Sequence, residues 1–114
     1  MDLKQVRQML KSLSDDTRLR IVNLLRKNEL SVNELCQTLG KKQSSISKHL
    51  SRLRLTHVVT DRRKGNNVYY SIAKTGDRTR EALLENILKS ISRLPGLVND
   101  NEKYNSLLKK GEKK

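Results

Sequence analysis

The sequence predicts a mainly α-helical fold with one small β-hairpin, ordered as four helices, two strands and a fifth helix. Three observations carry that prediction. Apolar residues recur at helical spacing, as where Leu3, Val6, Leu10 and Leu13 fall on one stripe. Two stretches, Val58 to Thr60 and Val68 to Ile72, are instead rich in β-branched and aromatic residues, and the turn-prone run Gly65-Asn66-Asn67 lies between them. At 114 residues the chain is long enough for one domain with one modest core.

The helices follow in order. Asp2 is a candidate N-cap, with Gln5 three residues later to complete a capping box. The first helix is short, and its stripe has no neighbour in sequence to pack on, so it calls for another surface such as a second subunit. Ser14, Asp15 and Asp16 open a second helix reaching about Lys27, where the acids suit the positive end of the helix dipole. Ile21, Val22, Leu24 and Leu25 give it the wide apolar face of a central helix. Ser31 and Glu34 form a second capping box, Val32, Leu35, Cys36 and Leu39 then share a face, and Gly40 is a C-terminal stop. The next helix starts near Lys42 or Gln43 and turns Ile46, Leu50 and Leu53 inward. Two short helices joined by a tight Gly-containing turn make a helix-turn-helix.

Past the hairpin, a last regular helix is expected from about Gly76 to Leu94, with Leu84, Ile87, Leu88 and Ile91 on one face and Pro95-Gly96 ending it. Val98, Tyr104, Leu107 and Leu108 support a short extra helix, and Lys109 to Lys114 are expected to fray. The organisation read from the sequence is therefore a domain over residues 1–94 and a basic C-terminal extension over 95–114.

Charge points to the partner. Lys and Arg number 25 against 12 acids, a net charge of +13, which favours a polyanion through counterion release. Residues 41–67 hold eight of these cations and one Asp, a concentration that argues against a diffuse role on a membrane surface. The only aromatics are Tyr69, Tyr70 and Tyr104, too few for a base-stacking platform, so duplex DNA is favoured over a single strand. On the fourth helix, Gln43, Ser44, Ser45, Ser47, Lys48, Ser51 and Arg52 form a small, polar or basic outward face with no acid. A solvated helix usually mixes Glu with Lys, whereas a helix entering the major groove needs donors and no repelling charge. Arg62, Arg63 and Lys64 crowd the hairpin tip, where phosphates flanking a minor groove would relieve their repulsion. The candidate DNA-binding residues are Lys42, Gln43, Ser44, Ser45, Ser47, Lys48, Arg52, Arg62, Arg63, Lys64 and Asn66.

Other classes are disfavoured. A single cysteine, Cys36, excludes an intrachain disulfide and a multi-cysteine metal cage, and its place on an apolar stripe reads as core. The sequence shows neither a basic start followed by an apolar run nor an apolar stretch long enough to span a bilayer, so a cytoplasmic protein without membrane partners is expected. It shows no Gly-rich phosphate loop, nucleophile elbow or convergent acid-base pair, so neither enzymatic activity nor a cofactor is expected.

With the elements placed, residues 13–73 resemble the ArsR/SmtB family of winged helix repressors. The resemblance rests on Leu13-Ser14-Asp15-Asp16-Thr17-Arg18-Leu19-Arg20-Ile21, on Gln43-Ser44-Ser45-Ile46-Ser47-Lys48-His49-Leu50, and on the wing ending Val68-Tyr69-Tyr70. It implies a homodimer built by the first and last helices, with Leu3, Val6, Leu10, Leu84, Ile87, Leu88 and Ile91 at the interface. It also implies two recognition helices in successive major grooves, reading a pseudo-palindromic operator as a sequence-specific repressor. Departures from the family's sensing sites are equally plain. Ser31 and Asn33 stand where many members carry a Cys-x-Cys, and both are poor ligands for soft metals. Asp77 matches the first ligand of a second site, but Thr79 stands where a His is wanted and residues 80–94 contain none. No metal site and no small-molecule effector are identified on this reading. The alternative is an effector-independent, nucleoid-type or anti-silencing DNA-binding protein. His49 is expected to pack or to bond a phosphate, and His57, where relatives often have a helix-ending Gly, to adopt positive φ.

Overall fold

The computed structural model describes residues 1–112, and its core forms around α2 (Asp16–Leu25), where Ile21, Val22 and Leu24 are fully buried. Preceding it, α1 (Leu3–Leu13) begins at the expected capping box: Gln5 N donates to Asp2 Oδ1 at 2.8 Å and Asp2 N to Gln5 Oε1 at 2.9 Å. Met9 and Leu13 seat α1 on the core, while Leu3 and Leu10 stay exposed. The N-cap of α2 is Asp15, which accepts from Arg18 N at 3.0 Å.

Helix α3 (Val32–Leu39) is capped by Ser31 and Glu34 as expected, and Gly40 takes φ +66 at its C-cap. After the turn, α4 (Gln43–Leu55) ends in a Schellman motif: Val58 N donates to Leu53 O at 2.9 Å and His57 N to Arg54 O at 3.1 Å. His57 holds φ 60, as expected for the residue in the position usually given to glycine.

The sheet is larger than composition predicts. β2 (Val59–Lys64) and β3 (Asn67–Ile72) pair antiparallel around a two-residue Gly65-Asn66 turn. Gly65 alone of the pair has positive φ, +63, the pattern of a type II′ turn. Asp61 to Lys64, read from composition as loop, are strand because ladder pairing to Asn67–Tyr70 decides their conformation, not side-chain propensity. A third strand, β1 (Leu30–Ser31), pairs with Tyr70 and Tyr69 to give the order β1-β3-β2. Two residues are too short to leave a periodicity.

The C-terminal half differs most from expectation. α5 (Arg78–Ile91) starts at the Asp77 cap and stops short of Leu94. Pro95 does not merely end a helix; it is the first residue of the next, a position that suits its fixed φ and missing N–H. That helix, α6 (Pro95–Glu112), has 18 residues rather than being short. It packs on α2 and α3, burying Leu97 and Tyr104. Arg20 on α2 holds Asp100 through Nε–Oδ2 and Nη2–Oδ1 bonds, both 2.9 Å, and Asn23 Nδ2 donates to Leu97 O at 3.2 Å. Of the tail expected to fray, residues 109–112 are helical and 113–114 lie outside the described residues. None of the described helices is long and apolar enough to cross a membrane.

Candidate nucleic-acid interface

The rotation of α4 is set from below. Ile46, Leu50 and Leu53 are each fully buried, so Ser44, Lys48, Ser51 and Arg52 are turned to the opposite, exposed side. Lys42 and Gln43 are exposed at the N-terminus, and Ser45 and Ser47 sit half-buried on the shoulders. Lys42 is the N-cap without a side-chain cap bond, and the first turn carries no acid. The orphan N–H groups and positive dipole end are therefore open to an anion such as a phosphate.

His49 does not project with that face. It is half-buried, with Nδ1 3.2 Å from Arg18 Nη1 and 3.7 Å from Asp15 Oδ2. Arg18 can only donate, so in this arrangement Nδ1 accepts and the ring proton belongs on Nε2. Arg18 Nε also donates to Ser12 O. The Asp15-Asp16-Thr17-Arg18 string thus ties the end of α1 and the start of α2 to the middle of α4. The Arg18 backbone N–H, aided by the Arg18 charge, holds the Asp15 carboxyl below its ordinary range despite partial desolvation.

The wing divides its cations. Arg62 is locked in a bidentate pair with Glu29, Nε–Oε2 at 2.8 Å and Nη2–Oε1 at 2.6 Å, and that bond pulls the Glu29 carboxyl below its usual value. Arg54 pairs with Asp61 at 3.2 Å. Among the described residues, Lys42, Lys48, Arg52, Arg63 and Lys64 have no carboxylate within ion-pair distance, and all five are exposed. Asn66 is exposed in the turn. Glu29 is the residue that sequence reasoning missed. It lies 33 positions from Arg62, and only the β1–β3–β2 sheet brings them together.

Ser31, Asp77 and Cys36, considered for sensing, each have a structural role. Ser31 Oγ is committed to capping α3. Asp77 caps α5 and pairs with the Met1 amine at 3.1 Å. Cys36 is half-buried against the core, and burial pushes its thiol pKa up, away from the reactive thiolate. Among the residues read as a dimer surface, Leu3 and Leu10 are exposed and Val6, Ile87 and Ile91 half-buried. Leu84 and Leu88, at 4% and 1% exposure, instead lie inside the protomer's own core and seat α5 on it.

A helix-turn-helix with an acid-free outer face, followed by a cationic hairpin, defines a winged helix-turn-helix protein. The family model described as bacterial regulatory protein, arsR family, matches residues 15–59. The HTH-type transcriptional regulator KmtR of Mycobacterium tuberculosis is 30% identical over 90 residues, covering 79% of this chain and 68% of KmtR. The transcriptional activator HlyU of Vibrio cholerae is 35% identical over 79 residues, 69% of this chain and 73% of HlyU. The structure of reduced HlyU matches with a TM-score of 0.68 at 30% identity, over 81% of this chain and 90% of that one. The homodimeric winged helix-turn-helix DNA-binding domain of Mb0332 from Mycobacterium bovis matches with a TM-score of 0.65 at 30% identity, over 78% of this chain and 82% of that one. This chain belongs to the ArsR family of DNA-binding transcriptional regulators.

Proposed function

We propose that the protein is a homodimeric, sequence-specific repressor that occupies a pseudo-palindromic duplex operator without a metal cofactor. The observation that carries this reading is the exposed, acid-free face of α4 beside the exposed wing cations Arg63 and Lys64, which meet no carboxylate among the described residues. Gln43 and Ser44 at the start of α4 are suited to base edges, while Lys42, Lys48, Arg52, Arg63 and Lys64 are suited to phosphates. Repressors occur among the relatives, as does an activator, so the direction of regulation rests on occupancy of a promoter rather than on any feature of the site.

The dimer would form through Leu3, Val6 and Leu10 on α1 with Ile87 and Ile91 on α5, residues that the protomer leaves at least partly accessible. Two copies related by a two-fold axis would present two α4 helices about one DNA turn apart. The test is selection of bound duplexes from a random library, followed by salt titration on the recovered site. Two inverted half-sites and a steep loss of affinity with salt are expected. Equal affinity for every duplex at physiological salt would overturn sequence-specific reading, and a recovered site with a single half would overturn the dimer.

A further inference from the structure

Beneath the base of the wing, α5 and the end of α4 enclose a cavity of about 240 Å³. Ile72, Ala73, Leu84 and Leu88 make its apolar wall. Arg26, Lys74, Glu81 and Glu85 are the exposed or ion-paired charged residues that also line it, and Arg80 is the buried one. Arg80 is only 7% exposed. Among the described residues its guanidinium makes one hydrogen bond, Nη1 to Thr56 O at 2.9 Å, and meets no carboxylate within ion-pair distance. A buried cation without a counter-charge is costly, and the cost falls when an anion arrives. The two rim acids do not serve. Glu81 accepts from Gly76 N at 2.9 Å, and Glu85 is paired with Arg26 at 2.6 Å.

We propose that this cavity binds a small organic monocarboxylate, with its carboxylate on Arg80 and a compact apolar body against Leu84 and Leu88. The buried guanidinium matches one carboxylate in its plane. Of the other two cations in the lining, Arg26 is already paired with Glu85 and Lys74 is exposed to solvent, so a multiply charged phosphate would find one desolvated cation against an apolar wall. The volume lies below the roughly 300–1,000 Å³ typical of pockets for drug-sized ligands, which limits the occupant to a small molecule. Glu81 and Glu85, both exposed, border the cavity on the solvent side of α5. Thr56 is the C-cap of α4, so the guanidinium that receives the ligand also holds the end of the DNA-facing helix. Ligand and DNA are thereby coupled, and coupling acts in both directions.

Thermal melts of the full chain with benzoate, phenylacetate and isovalerate, against benzamide and isovaleramide, test the site. A Tm that climbs with carboxylate concentration, and not with the neutral amides, is expected. Arg80→Gln should abolish the climb. Because that change also removes the Thr56 bond, Ala73→Leu serves as a second variant that fills the cavity and keeps Arg80. It should melt cooperatively and show no response to benzoate. No climb with any of the three carboxylates, an equal climb with the amides, or a full response in Ala73→Leu would overturn the site. Saturating benzoate should also weaken binding to the selected duplex several-fold. That arm rests on the DNA-binding reading and the melts do not, so an unchanged affinity beside an intact Tm response would overturn only the link to α4.

Discussion

His57 shows how a single backbone conformation shapes the region that carries the interface. Its positive φ lets the chain reverse out of α4 so that Val58 is buried beside Leu53 and β2 begins at once. A non-glycine residue in this conformation costs about 1 kcal/mol. His57→Gly is expected to raise stability by about that amount, seen as a higher urea midpoint with an unchanged slope. At the wing, the ion pairing makes unlike predictions for neighbouring residues. Arg63→Ala should weaken binding to all duplexes alike and reduce the salt slope by about one phosphate contact. Glu29→Gln removes the carboxylate that holds Arg62 and frees a cation for DNA, so affinity should rise and the salt slope steepen. A salt slope unchanged by Glu29→Gln would mean that Arg62 already reaches phosphate despite its partner.

At the scale of elements, caps and clamps set which helices hold together. The Asp15 carboxyl is held below its ordinary value of 3.8, chiefly by the Arg18 N–H at the start of α2. A carboxylate depressed in the folded state stabilises it above the unfolded value, and that contribution disappears as pH falls through the lower folded one. Asp15→Asn keeps a capping oxygen but cannot titrate. It should melt below wild type at pH 6, and the gap should close as pH drops below about 3.8. Helix α6 depends on a different device, the Arg20–Asp100 pair. Asp100→Ala leaves a guanidinium facing the core edge without its partner; since the Arg20 side chain is 32% exposed, a loss of about 2 kcal/mol is expected rather than the larger penalty of full burial. Urea unfolding measures the loss, and faster amide exchange along α6 would place it there.

For the whole molecule, the assembly prediction depends on which residues the protomer has already used. Ile87 is half-buried in the single chain, so Ile87→Asp should leave the fold intact while shifting sedimentation toward monomer and costing DNA affinity. Leu84→Asp is a poor test because Leu84 is core and the variant would unfold. An Ile87→Asp protein that remains dimeric would move the interface elsewhere.

Much of this fold was legible from residues a few positions apart. Asp2 with Gln5, Ser31 with Glu34 and Gly40 at its stop act within one helical turn, and the acid-free face of α4 follows from periodicity alone. The hairpin and its cations were visible too, though not its full length. What stayed hidden depends on partners far apart in the chain. Glu29 meets Arg62 across 33 positions, Arg20 meets Asp100 across 80, and Arg80 meets Thr56 across 24. The sequence alone settled the first four helices with their caps, the place of the hairpin and the basic character of the chain, because caps, periodicity and net charge need no tertiary contact. Only the folded chain decided that β1 exists, that α6 docks, which wing cation pairs with Glu29 and which arginine is buried without a carboxylate among the described residues, because each outcome depends on groups far apart in sequence meeting in space.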